Sequence, residues 1–332
     1  MDDKEMTMRE ALNLALDQAL QADDRVFLLG EDIADPGASG PTAGLSTKYG
    51  HDRVLDTPIS EAAIVGAAIG AAIDGMLPVA EIMIMDFIGI AADQLINNAA
   101  KLRFMTAGRT TAPITVRTQV YAGLATGATH SQSLEAWFMH IPGMKVIVPS
   151  TPRDGKGLLA SAIFDEDPCL FVETIRLQGK KGPVPVDPGF RIPLGQADIK
   201  RPGTDVSLIS YGRSVHDALT AAETLAGQDV SAEVVDLRTL VPLDVDTIVE
   251  SVRRTRRAVI IHDAVQFAGP GAEIAAILQS ELFGELVAPV ERVAARFIPN
   301  PAAASLEAQV YPSPERIVAA VQRSIAKAGT LG

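Results

Sequence analysis

The chain has 332 residues, enough for about two domains of roughly 150 residues each, and 47% hydrophobic residues supply material for two packed cores. A net charge of −12 with no long basic run excludes the clustered cations on which nucleic-acid affinity rests, and suits a basic protein partner instead. The single cysteine, Cys169, excludes a disulfide framework and fits a reducing compartment. The longest uncharged apolar run, 62–73, is too short for the ~30 Å of a bilayer core. The acidic start lacks the apolar core of a secretory signal, so the expected location is cytoplasmic.

In chain order, β-branched runs alternate with alanine-rich stretches of helical period. They predict helix 8–20, strand 26–29, helix 60–74, strand 79–84, helix 89–105, strands 114–117 and 146–148, helix 153–164 and strand 170–173. Residues 179–193 are rich in glycine and proline and show neither period, which is linker composition. A fresh pattern follows: strand 206–210, helix 214–225, strand 233–237, helix 244–254, strand 259–262, helix 271–283, strand 290–294 and helix 314–326. Arg253, Arg254, Arg256 and Arg257 fall where a helix closes, so the densest basic cluster complements a helix dipole. The alternation, with strands apolar on both faces, predicts an α/β protein of two doubly wound domains. The boundaries expected are 1–185 and 204–332, joined by a linker at 186–203.

Three segments carry candidate chemistry. In Asp56-Thr-Pro-Ile-Ser-Glu61, Ser60 is placed to cap the helix and Glu61 falls in its first turn. That helix is apolar for twelve residues, so burial on all sides is expected, and a carboxylate at its mouth needs a partner. Glu61 equally reads as a residue that merely complements the helix dipole. Gly66 and Gly70 would permit close approach of another helix, or ordinary tight packing. In Glu81-Ile-Met-Ile-Met-Asp86-Phe-Ile-Gly89, a strand delivers Phe87 to the carboxyl edge of a parallel sheet, although a phenylalanine there also reads as core. In Gly127-Ala-Thr-His130-Ser-Gln-Ser-Leu-Glu135, His130 ends a flexible loop before a helix, whose positive end would favour a neutral ring. A structural capping histidine is the alternative. His140, followed by Ile-Pro-Gly, reads as structural; His51, His216 and His262 have no partner at metal-ligand spacing, and no dinucleotide fingerprint or Walker loop is present.

These residues resemble one family over nearly the whole chain. Asp56-Thr-Pro-Ile-Ser-Glu61, Met85-Asp-Phe-Ile-Gly89, His130-Ser-Gln-Ser-Leu-Glu135, Pro149-Ser-Thr-Pro152, Val235-Asp-Leu-Arg-Thr239 and Tyr311-Pro-Ser-Pro-Glu-Arg-Ile317 look like the β subunit of the 2-oxo-acid dehydrogenase first component, shared by pyruvate, branched-chain and acetoin dehydrogenases. The segments 81–89 and 192–200 look nearest to the acetoin branch.

The resemblance implies a transketolase-like pyrimidine-binding domain followed by a transketolase C-terminal domain. It implies an α2β2 heterotetramer with thiamine diphosphate shared between subunits, and an acyltransferase core as a further partner. The α subunit would hold Mg2+ and the diphosphate through a Gly-Asp-Gly motif, which this chain lacks. Carried over residue by residue, Glu61 hydrogen-bonds the aminopyrimidine ring nitrogen, Phe87 packs on the ring, and Glu31, Ile59 and Met83 line the pocket. His130 matches the histidine that supplies a proton during acyl transfer to the lipoyl arm. A potassium ion would use Ile114, Ala162, Ile163, Asp165 and Asp167. The chain departs from the family pattern at Leu124-Ala125-Thr126, at Thr129 and at Glu173-Thr-Ile-Arg176. Rival readings are a transketolase-like half-enzyme, a non-catalytic scaffold of the same fold, and a nucleotide-binding oxidoreductase.

Overall fold

The computed structural model of the chain describes residues 3–34 and 40–328. It divides into two compact units. One comprises the residues up to Tyr121 together with Trp137–Leu194; the other comprises Ala122–Ala136 together with the residues from Gly195 onward. The loop carrying His130 therefore clusters with the second unit, while Glu61 and Phe87 belong to the first.

The chain begins β1 (Lys4–Thr7), α1 (Met8–Ala22), β2 (Val26–Gly30), α2 (Leu45–Tyr49), β3 (Val54–Asp56), α3 (Glu61–Ile73), β4 (Leu77–Ile84), α4 (Ala100–Met105), β5 (Thr115–Val120) and α5 (Glu135–Met139). It continues β6 (Lys145–Ile147), α6 (Pro152–Ile163), β7 (Cys169–Thr174) and β8 (Lys181–Val184). The strands of the first unit's main sheet run in the order β6-β7-β5-β4-β2-β3, every neighbouring pair parallel. Leu12 and Leu16 of α1 and Leu158 and Leu159 of α6 close one core over Val26, Leu28, Val79 and Phe171. Both helices start on strong signals. Thr7 and Glu10 form a reciprocal capping box on α1, and Thr151 accepts from the Asp154 amide ahead of Pro152 on α6.

The second unit contains β9 (Asp198–Arg201), β10 (Val206–Ser210), α7 (Ser214–Ala226), β11 (Ala232–Asp236), β12 (Thr239–Val241), α8 (Val245–Thr255), β13 (Ala258–Val265), α9 (Pro270–Glu281), β14 (Glu291–Ala295), α10 (Ala304–Glu307) and α11 (Pro314–Ala328). Its sheet order is β14-β13-β10-β11-β9, parallel except for β9. The core joins Val206, Leu208, Val259 and Ile261 to Ala218, Ala222, Ile317 and Val321. The arginine cluster does close α8, with Arg253 and Arg254 in its last turn.

Three local expectations need correction. The stretch read as linker holds β8, paired antiparallel with β1 (Glu5 opposite Pro183). A short edge strand tolerates a proline, so composition does not reveal it. The single helix expected over 89–105 is instead a π-helical stretch, Gln94–Ala99, leading into α4. There the Asn98 side chain donates to the Asp93 carbonyl at 3.3 Å and takes up an acceptor of the regular ladder. Third, α3 is not buried all round: Ile64, Val65, Ala68, Ile69 and Ala72 face inward, while Ala63, Ala67 and Gly70 are exposed. Alanine and glycine expose little apolar area, so hydrophobicity alone overstates burial here.

Gly143 has φ +98°, and a Cβ there would lie 2.0 Å from the Ala100 carbonyl oxygen. A side chain at Gly70 would meet nothing within 4 Å. Gly143→Ala should therefore cost at least about 2 kcal/mol, whereas Gly70→Ala should gain roughly 0.5–1 kcal/mol through helix propensity. Chemical denaturation of the two variants checks this; equal effects would contradict the packing described.

Candidate active site

The carboxyl edge of the first unit's sheet is where parallel-sheet proteins hold ligands. Gly30 ends β2 so close to β4 that a Cβ would sit 2.8 Å from the Glu81 carbonyl oxygen, which demands glycine. Glu31 follows directly. The Thr57 amide donates to Gly30 O at 2.9 Å and the Ala34 amide to Asp56 Oδ1 at 2.8 Å, so the chain leaving β2 is tied to the chain leaving β3. β3 leads through Ile59, which is 82% exposed, to Glu61 at the start of α3. Ser60 makes no side-chain cap, contrary to expectation, because its backbone (φ −165°, ψ 75°) departs from the usual capping geometry. The same edge receives half-buried Met83 from β4 and half-buried Phe87 from the 3-10 turn Met85–Gly89.

Glu61 is only 5% exposed, yet its carboxylate makes no hydrogen bond or ion pair with another described residue. Burial pushes the Glu31 carboxyl upward, the negative charge of Glu61 pushes it further, and the Ser60 amide partly offsets both. Glu31, Ile59, Glu61, Met83 and Phe87, widely spaced in sequence, are thus brought to one sheet edge. A buried acid lacking a donor, beside an exposed aliphatic side chain and an aromatic ring, fits a flat heterocycle with a ring nitrogen.

Beside this edge lies a buried ion network that sequence reading missed. Arg117 on β5 is 1% exposed and donates from Nη1 to Glu81 Oε2 at 2.6 Å and from Nε to Glu173 Oε1 at 2.7 Å. Burial raises the Glu173 carboxyl despite the guanidinium. The available signal was Arg117 itself, a charge on a strand expected to be covered on both faces.

Main-chain oxygens among the expected potassium residues accept hydrogen bonds within the chain. Ile114 O accepts from the Cys169 amide (2.9 Å) and Ala162 O from the Asp165 amide (3.1 Å). The carboxylates are already engaged: Lys145 Nζ lies 2.6 Å from both oxygens of Asp165, and Arg103 Nε donates to Asp167 at 2.6 Å. This donor set fits a monovalent ion on main-chain oxygens, and does not fit a divalent ion, which wants carboxylates of its own. Among the described residues no cluster of His, Cys, Asp or Glu forms a metal site. Burial pushes the Cys169 thiol far up, so it is inert.

His130 sits within the second unit, in a loop with left-handed backbone at Gly123, Ala125 and Gly127. Its Nδ1 lies 3.0 Å from Thr129 Oγ1. α5 begins only at Glu135, so His130 lies outside the helix's first turn and the expected dipole effect does not reach it. Glu135, buried at 2% exposure, accepts from the Tyr211 hydroxyl at 2.8 Å. The Tyr211 ring stacks on His262, 6.1 Å away. His262 is held as the neutral ring, with Nδ1 2.9 Å from Ala264 O and Nε2 accepting from the Gly271 amide at 3.1 Å. His51 and His140 are exposed.

With fold and site in view, the class is a transketolase-like protein. The family models for the transketolase pyrimidine binding domain and the transketolase C-terminal domain match residues 4–179 and 195–317. A solved split-gene transketolase, described as an inactive β4 tetramer, matches 97% of this chain and 98% of its own at a TM-score of 0.77, and with 23% identity it speaks for the fold alone. The acetoin:2,6-dichlorophenolindophenol oxidoreductase β subunit of Cupriavidus necator is 45% identical over 97% of this chain and 98% of that protein. The mitochondrial pyruvate dehydrogenase E1 component subunit beta-2 of rice is also 45% identical, over 98% of this chain and 88% of that protein. The chain belongs to the family of transketolase-like β subunits of 2-oxo-acid and acetoin dehydrogenases. Equal identity to the acetoin and pyruvate relatives means that similarity does not divide those branches. No helix among the described residues is long and apolar enough to cross a membrane.

Burial raises the Glu135 carboxyl from 4.5 to about 7 and lowers His262 from 6.5 to about 4. A folded pKa above the unfolded one gives stability that is full below pH 4.5 and is lost as pH rises toward 7. His262 acts in the opposite sense: its contribution is full above pH 6.5 and is lost as pH falls toward 4. In Glu135→Gln the first trend disappears. The melting temperature of the variant minus that of the parent should rise between pH 5 and 7.5, then level off; a pH-independent difference would contradict the assignment.

Proposed function

We propose that the chain is the β half of a thiamine-diphosphate enzyme that cleaves a 2-oxo acid or acetoin beside its carbonyl and passes the acyl group to a lipoyl carrier. It works only with an α subunit, in an α2β2 assembly that an acyltransferase core would recruit, in the cytoplasm. The observation that carries this reading is Glu61, a buried acid without a donor among the described residues, at the ligand edge of a parallel sheet.

Glu61 holds a proton against the ring nitrogen of the aminopyrimidine and fixes the ring's orientation by a charge-assisted bond. Ile59, Met83 and Phe87 shield that bond from water and pack on the ring. Glu31, whose carboxyl burial pushes upward, would line the same edge. When bound, thiamine diphosphate supplies the carbon nucleophile and the electron sink for cleavage. His130 would deliver a proton to the lipoyl sulfur released when the S–S bond breaks and the other sulfur takes the acyl group. Mg2+ and the diphosphate fall to the α subunit, since this chain has no Gly-Asp-Gly. A potassium ion would be held by main-chain oxygens of Ile114, Ala162, Ile163 and Asp167, with Asp165 nearby.

Glu61→Gln in the reconstituted α–β complex keeps the shape and removes the acid. Turnover should fall by roughly a hundredfold or more, with a weaker affinity for the coenzyme in calorimetry. Unchanged turnover would favour a scaffold. For the ion, KCl should raise the melting temperature above that in LiCl of equal ionic strength, since a ligand of the native state stabilises by mass action; identical curves would remove the site.

A further inference from the structure

We propose that the segment from Asn300 to Tyr311 is a positioning clamp for the His130 loop, with Glu307 as its central residue. This rests on the catalytic reading of His130 given above.

The geometry is specific. Glu307 closes the short helix α10 and is 2% exposed. Its Oε1 accepts from the Gly123 amide at 3.0 Å and its Oε2 from the Ala125 amide at 2.6 Å. Both amides lie in left-handed backbone, φ +86° at Gly123 and +58° at Ala125. Two nearby amides turned to the same side form a concave anion seat, here filled by a side chain 182–184 positions away in sequence. Two neighbours grip the far side of the loop. Asn300 Nδ2 donates to Ser131 O at 2.8 Å, and the Tyr311 hydroxyl donates to the same oxygen at 3.0 Å. His130 therefore lies between two anchored points, Ala125 and Ser131. The inner turn is closed by Thr126, whose Oγ1 donates to His130 O at 3.0 Å and lies 2.6 Å from Ser131 Oγ.

The conformation has a cost that the clamp offsets. Ala125 holds a positive φ that an alanine avoids. Buried amides without an acceptor are expensive too. A carboxylate satisfies both amides at once by charge-assisted bonds, whereas an amide side chain turns an NH2 against one of them. None of these residues needs to touch substrate. Each acts through the backbone that carries His130.

The test uses the α–β complex with two readouts: decarboxylation coupled to an artificial electron acceptor, and reductive acylation of a lipoyl domain. Three variants are run side by side: His130→Ala, Glu307→Gln and Tyr311→Phe. His130→Ala should lose acyl transfer while decarboxylation largely persists. Glu307→Gln should show the same split, with transfer down roughly ten- to hundredfold, and Glu307→Asp should restore part of it. Tyr311→Phe, which deletes one donor and keeps the ring, should lower the same step by a few-fold and guards against misfolding of the Glu307 variants. Full transfer in both Glu307→Gln and Tyr311→Phe, beside a deficient His130→Ala, would overturn the clamp and leave His130 standing. Full transfer in His130→Ala would overturn both. An equal loss of both activities in Glu307→Gln, unrelieved by Glu307→Asp, would reduce Glu307 to a structural residue and also overturn the clamp.

Discussion

A buried acid without a partner is the constraint around which the first unit is organised. Removing a carboxylate from water costs several kcal/mol unless hydrogen bonds or counter-charges compensate. The start of α3 returns only ~0.3–1 kcal/mol through its dipole. Glu61 has no donor among the described residues, and the negative charges of Glu61 and Glu31 oppose each other. The fold nonetheless holds it there through the tie between Thr57 and Gly30 and the close approach of β2 to β4 at Gly30. Stability alone would favour an apolar residue at this position. A ligand whose ring nitrogen shares a proton with the carboxyl would explain why an acid stands there.

Other buried charges in the chain make the contrast. Arg117 is held between Glu81 and Glu173. The buried ammonium of Lys156 donates to the carbonyls of Pro185 (2.8 Å) and Asp187 (2.5 Å), strapping the connecting segment to α6. Arg213 is bound by Asp263 and Asp217. These charges are paired or hydrogen-bonded within the chain and serve its architecture. Glu135 is intermediate: Tyr211 satisfies one of its oxygens, and burial moves its titration toward neutrality.

Much of this was legible in the sequence, for identifiable reasons. Period and length alone located most strands and long helices, because the two main sheets are parallel apart from β9 and their strands pack against helices. Glu61 was legible because Pro58, Ser60 and the apolar run after them announce a helix with an acid in its first turn. Ser60 failed as a cap because its dihedral angles, invisible in sequence, turn the hydroxyl elsewhere. The exposed stripe of α3 was hidden because alanine and glycine look alike inside and outside a core. β8 and the π-helical stretch were hidden because each depends on a bond to a particular distant or neighbouring group. Glu307 had no local signature at all; its amide partners lie near residue 124, and only folding brings them together.

The most direct measurement is a double-mutant cycle across the proposed bond between Glu61 and the aminopyrimidine. The α–β complex, with Glu61 or with Glu61→Gln, is assayed with thiamine diphosphate and with an analogue bearing C–H in place of the partnered ring nitrogen. If that nitrogen is the missing donor or acceptor, the complex with Glu61 prefers the natural coenzyme strongly and Glu61→Gln abolishes most of the preference. A preference of equal size in both proteins would mean that the buried carboxylate answers to something else.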